Sequence, residues 1–116
     1  MEITEKQCGN VCVIQLSNTS GDRARFDGFQ HRVRERLASG QRKFVVNLSG
    51  CNWIDSTGLG ELVKSLVAVM RDGGNMSLAS VPPKLLGLLS VTNLTSVFDV
   101  YGTEEQAVSS AEASTQ

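Results

Sequence analysis

The segment that most constrains the fold runs from residue 43 to residue 71. Lys43-Phe44-Val45-Val46-Asn47-Leu48 reads as a strand whose two faces are both largely apolar. Only a strand inside a sheet, covered on both sides, tolerates that pattern. The stretch from Thr57 to Arg71 reads as a helix with Leu59, Leu62, Val63, Leu66, Val67, Val69 and Met70 spread over more than half its girth. Such a helix is expected to be largely enclosed. A central strand feeding a buried helix is the core of a layered α/β domain.

The flanking sequence fits that frame. Residues 2–7 and 11–16 read as two short strands joined by Gly9-Asn10, which suits a tight hairpin. Phe26, Phe29, Val33 and Leu37 recur at helical spacing over 26–38, and Gly40 ends that helix. Gly73-Gly74 closes the second helix, and 75–80 reads as a further strand. Pro82-Pro83 opens a helix carrying Leu85, Leu86, Leu88 and Leu89. Val97-Phe98 reads as a brief edge strand, 104–110 as a last helix and 111–116 as a frayed end. After the first hairpin, strands and helices alternate, which implies parallel strand pairs joined by helical crossovers.

At the junction of central strand and buried helix stands Ile54-Asp55-Ser56-Thr57-Gly58-Leu59-Gly60. A helix start offers unpaired N–H groups and a partial positive charge, so it holds an anion or a phosphate well. Asp55 and Ser56 are both competent N-caps, a role that stabilises by about 1 kcal/mol. One cap suffices. The glutamate of a capping box is absent, because Leu59 stands there. The spare group beside Gly58 and Gly60 gives the second reading, a serine displayed for modification or contact.

Several function classes fall away. With 116 residues, 41% of them hydrophobic, the chain has the bulk of one domain with a true core. A net charge of −1 supplies no field toward nucleic acid or anionic membrane. No apolar run reaches the roughly 18 residues of a membrane span, and Met1–Lys6 lacks the apolar core of a signal peptide. Cys8, Cys12 and Cys51 make an odd set, which fits free thiols in a reducing cytoplasm and makes a poor metal site. No cofactor is expected. A serine nucleophile needs a base, and the one histidine, His31, sits in the middle of a helix near its basic face. Gly-x-Ser-x-Gly, the P-loop and the dinucleotide fingerprint are all broken or missing. The stretch 22–43 carries Arg23, Arg25, Arg32, Arg34, Arg36, Arg42 and Lys43 against Asp22, Asp27 and Glu35, a local balance of +4. That pattern reads as a solvated face or as a match for an acidic protein surface.

Asp55-Ser56-Thr57-Gly58-Leu59-Gly60, after an apolar strand and before an apolar helix, resembles the signature of anti-sigma factor antagonists, small STAS-domain proteins of bacteria. Met76-Ser77-Leu78-Ala79 and the leucine-rich helix after Pro83 add to the resemblance. It implies an α/β STAS fold, with a four- to five-stranded mixed sheet packed with about four helices. The domain would span 1–110, with 111–116 as a disordered tail. It implies a binding module that is not an enzyme. Its unphosphorylated form binds an anti-sigma factor that is itself an ATP-dependent serine kinase, and that kinase phosphorylates Ser56. Asp22 matches an acidic residue near the phosphorylation site, although Thr19-Ser20-Gly21-Asp22 carries glycine where the family usually has leucine. Asp22, Arg23, Arg25, Asp55, Ser56, Thr57, Gly58, Leu59 and Gly60 are then the expected partner-contact residues. No direct nucleic-acid contact is expected, and the oligomeric state is left open. The alternative is a STAS subunit of a lipid-transport or signalling assembly in which Ser56 is not switched.

Overall fold

The computed structural model describes residues 2–17, 27–51, 54 and 56–113. It contains β1 (Glu2–Cys8), β2 (Val11–Ser17), α1 (Asp27–Ala38), β3 (Lys43–Gly50), α2 (Ser56–Arg71), β4 (Asn75–Ala79), α3 (Pro83–Val91), a 3₁₀ turn (Leu94–Ser96), β5 (Asp99–Tyr101) and α4 (Glu104–Ala113). The five strands form one mixed sheet in the order β1-β2-β3-β4-β5. β1 and β2 are antiparallel, turning at Gly9, whose φ is +61°. Every later pair is parallel.

β3 is the middle strand, as its doubly apolar pattern requires. Phe44, Val46 and Leu48 face one side, where they pack with Ile14, Leu16, Met76 and Leu78 beneath α1, α2 and α3. Val45 faces the other side with Val11, Val13 and Ala79, beneath α4. That second layer is thin. α4 contributes small residues such as Ala107 and is fastened by polar contacts near both ends. Glu104 takes Lys6 Nζ at 2.5 Å and Asn47 Nδ2 at 2.9 Å, and Ser110 Oγ lies 2.8 Å from the Tyr101 hydroxyl.

Three expectations need correction. Val97-Phe98 is not a strand. Phe98 is a buried core anchor, and the edge strand is Asp99–Tyr101, one step further on. α4 continues through Ala113, three residues past its expected end. α2, expected to be largely enclosed, is enclosed on one face only. Leu59, Leu62, Leu66 and Val69 are buried, but Val67 is 42% and Met70 56% exposed. A helix laid on a sheet has one inward face, and seven apolar residues on α2 exceed what that face holds.

The basic stretch is also partly consumed inside the fold. Arg32 Nη1 and Arg36 Nε each lie 2.7 Å from a carboxylate oxygen of Glu5, tying α1 to β1. Burial pushes the Glu5 pKa up, but hydrogen bonds from Arg36 and Arg32 outweigh it, and the carboxyl ends below its ordinary value.

Candidate functional site at the start of α2

The site grows from the C-terminal ends of two neighbouring parallel strands. β2 and β3 run in register from Val11↔Lys43 to Gln15↔Asn47, then resume at Ser17↔Gly50, so β3 carries one extra residue at the end of the ladder. The irregularity brings the backbones unusually close. A Cβ built on Gly50 would lie 2.7 Å from Ser17 Oγ and 3.1 Å from Ser17 Cα, so only glycine fits without a shift. Cys51 follows, fully buried, and its Sγ donates to the Leu16 carbonyl at 3.3 Å. Ile54, 1% exposed, is the next apolar anchor. Ser17 at the end of β2 and Gly50 at the end of β3 are therefore held against each other.

α2 begins at Ser56, and its first turn contains no acidic residue. The positive end of the helix thus lacks an acidic partner from that turn. Gly58 and Leu59 are buried, whereas Gly60 is half-buried with open space where a side chain would stand. Asp22, Arg23, Arg25 and Asp55 lie outside the described residues, as do the side chains of Ser56 and Thr57. The beginning of α2 is braced against α1. With the Gln30 amide oriented to satisfy both its atoms, Nε2 donates to Glu61 Oε2 at 2.6 Å and Oε1 accepts from Arg34 Nη2 at 3.2 Å. Glu61 also lies 3.8 Å from Lys64 Nζ.

Sequence reasoning missed Ser17, Gly50 and Cys51 as the clamp beneath this site. A glycine closing an otherwise apolar strand was the one available signal. It also missed Glu104, which holds Lys6 and Asn47. Burial raises its pKa, the Lys6 and Asn47 hydrogen bonds lower it by more, and the carboxyl stays below its usual value.

The three thiols are all free. Burial, and then the Glu5 charge nearby, push the Cys12 thiol up, so it remains protonated and unreactive. Among the described residues no group of three metal-ligating side chains comes together. A cleft of about 220 Å³ lined by Lys43, Asn75, Ser77, Asp99 and Tyr101 lies at the opposite ends of the parallel strands and does not join the α2 start. No helix among the described residues is long and apolar enough to cross a membrane.

A protein of Thermotoga maritima, provisionally named an anti-sigma factor antagonist, is 35% identical over 74 residues, which cover 64% of this chain and 66% of that protein. The anti-sigma-B factor antagonist of Bacillus subtilis is 31% identical over 61 residues, 53% of this chain and 56% of the relative. The chain thus spans just under two-thirds of the first relative's length and somewhat over half of the second's. The anti-sigma factor antagonist SpoIIAA in its unphosphorylated form shares the fold, with a TM-score of 0.81 at 15% identity over 99% of this chain and 100% of that one. Its Bacillus phosphorylated form gives 0.72 at 15% identity, over 93% and 97%. The family model described as STAS domain matches residues 2–107. With its mixed five-stranded sheet and its serine at the head of α2, the chain belongs to the STAS domain family.

Proposed function

We propose that this protein is an anti-sigma factor antagonist of the cytoplasm, switched by phosphorylation of Ser56. Unphosphorylated, it binds an anti-sigma factor that is an ATP-dependent serine kinase and so releases the sigma factor. Phosphorylated, it lets go. The observation that carries this reading is the start of α2 at Ser56, above the clamped ends of β2 and β3, with no acidic residue in the first turn. A phosphoserine brings about −1.5 to −2 charges. The helix end accommodates them within the fold, while the surface facing a partner gains negative charge. Switching then needs no refolding. The names of the two relatives and the two phosphorylation forms of SpoIIAA support the same reading.

The contact surface in this proposal is the start of α2, namely Asp55, Ser56, Thr57, Gly58, Leu59 and Gly60, together with Asp22 and a rim of Arg23 and Arg25. The last three follow β2, whose end is paired to that of β3. Arginines there would steer an acidic partner surface.

The test is direct phosphorylation. The purified chain is incubated with the anti-sigma kinase of its source cell and ATP, and the modified residue is mapped by mass spectrometry. Phosphate on Ser56, absent from Ser56→Ala, is expected. Phosphate on Thr57 alone, or full labelling of Ser56→Ala, overturns the proposal. For the rim, charge reversal at Arg23 and Arg25 should slow association, and added salt should shrink the difference.

A further inference from the structure

Every large apolar side chain that the described residues expose lies between residues 67 and 97: Val67, Met70, Leu86, Val91 and Val97. Scattered exposed apolar residues are ordinary. Those on α2 are not scattered. Val63 is half-buried at the edge of the core, and Val67 and Met70 follow it at i+4 and i+7. These spacings place the three on one ridge of the helix. Lys64 and Arg71, both exposed, stand one turn before and one turn after Val67. Against them stand Glu61, which is 15% exposed and engaged by Lys64, and Asp72 just beyond the helix.

We infer that this ridge is a docking surface for an acidic amphipathic helix of the protein partner. The assignment of that partner as the anti-sigma kinase rests on the reading above. An apolar row at i, i+4 and i+7 accepts a helix laid alongside, and the cations of its border match acidic residues flanking the partner's own apolar row. A second copy meeting the same ridge about a twofold axis would set Lys64 and Arg71 near their own counterparts, which charge opposes. A lipid surface is disfavoured because none of the exposed large apolar side chains is aromatic.

The ridge also runs away from the switch. Val63, Val67 and Met70 lie 7, 11 and 14 residues beyond Ser56 on the same helix, about 10, 16 and 21 Å along its axis. The screening length is about 8 Å at physiological salt, so charge placed on Ser56 is largely screened at Val67 and Met70. The partner would therefore hold two separable contacts, one lost on phosphorylation and one retained.

The experiment uses the full chain, ¹⁵N-labelled, and a synthetic helix-stapled peptide. The peptide has leucines at i, i+4 and i+7 flanked by glutamates. A second peptide has the same leucine row flanked by lysines. The glutamate peptide should shift the amides of 63–71 and bind at least tenfold more tightly than the lysine peptide. Val67→Asp/Met70→Asp, whose altered side chains are exposed and whose folding is checked by circular dichroism, should abolish binding. Ser56→Asp should leave it within twofold. No shifts, shifts elsewhere, or equal affinity for both peptides overturns the inference. Concentration-dependent self-association through the same amides replaces the partner with a second copy. Binding to phosphatidylserine vesicles, lost in the double variant, replaces it with a membrane. Loss of peptide binding in Ser56→Asp overturns the separation of the contacts. None of these readings needs the kinase, so a failed phosphorylation test leaves them intact.

Discussion

Gly50→Ala is the sharpest test of the clamp under the candidate site, because two opposing effects decide its sign. In open space, replacing a strand glycine with alanine stabilises by about 0.5–1 kcal/mol, since glycine loses more backbone freedom on folding. Here the new methyl meets Ser17 Oγ at 2.7 Å and Ser17 Cα at 3.1 Å. The hydroxyl can rotate aside; the backbone Cα cannot, so the ends of β2 and β3 must part by a few tenths of an ångström. Overpacking of this kind costs about 1–3 kcal/mol. The net expectation is destabilisation by about 0.5–2 kcal/mol. For 116 residues the unfolding entropy near the midpoint is about 0.24 kcal/mol/K, so the melting temperature should fall by about 2–8 °C. Calorimetry reads this directly, and guanidinium unfolding gives the same difference at constant slope. Gly87→Ala is the internal control. Gly87 is exposed inside α3 with nothing within 4 Å of the added methyl, so that variant should gain about 0.5–1 kcal/mol. If Gly50→Ala is as stable as Gly87→Ala, the close approach of Ser17 is not a constraint and the strand ends are not clamped. If it holds, Ser17→Gly in the Gly50→Ala background should recover part of the loss.

Ser56→Asp should weaken binding to the anti-sigma kinase by at least about tenfold, some 1.4 kcal/mol, with a nearly unchanged melting temperature. A variant that binds like the parent, or that unfolds, refutes the electrostatic switch. Leu66→Ala, at a fully buried position of α2, should cost about 2–5 kcal/mol in denaturant unfolding. Glu5 and Glu104 both have lowered carboxyl pKa values in the folded state, so their contribution is present above about 4.5 and is lost as the pH falls through the lowered values. The stability gap between the parent and Glu5→Gln should therefore be widest near neutrality and close in acid; a gap independent of pH contradicts the pairing with Arg32 and Arg36. Mass spectrometry of fresh protein without reductant should find Cys8, Cys12 and Cys51 as three free thiols.

What the sequence disclosed depended on whether the cause was local. The doubly apolar β3 announced its central place, because burial on both faces leaves a direct mark on residue types. The hairpin turn at Gly9 and the helix stop at Gly40 were equally local. The fate of Arg32 and Arg36 was not, since their partner Glu5 lies 27 and 31 residues away and no pattern in either segment points to the other. Phe98 misled because a lone buried aromatic after a 3₁₀ turn resembles the start of a strand. The excess of apolar residues on α2 was visible, but hydrophobicity does not say how much cover a fold provides, so Val67 and Met70 were expected inside. At the candidate site the helix start was legible to within one residue, expected at Thr57 and found at Ser56. The Ser17–Gly50 contact arises from a ladder irregularity between two strands and was beyond reach.

The strand order has a consequence for how the chain assembles. Each strand of β1-β2-β3-β4-β5 lies beside the one made just before it, so every pairing closes over one short intervening segment. During synthesis, a strand emerging from the ribosome finds its neighbour already laid down, and the sheet can extend in the order of translation. The exception is α4, which arrives last and reaches back across β2 and β3. Until Glu104 onward has been made, Val11, Val13 and Val45 lack the cover that α4 gives them among the described residues. The nascent protein thus passes through a stage with a formed sheet and one sticky side, the stage at which a chaperone has most to grip.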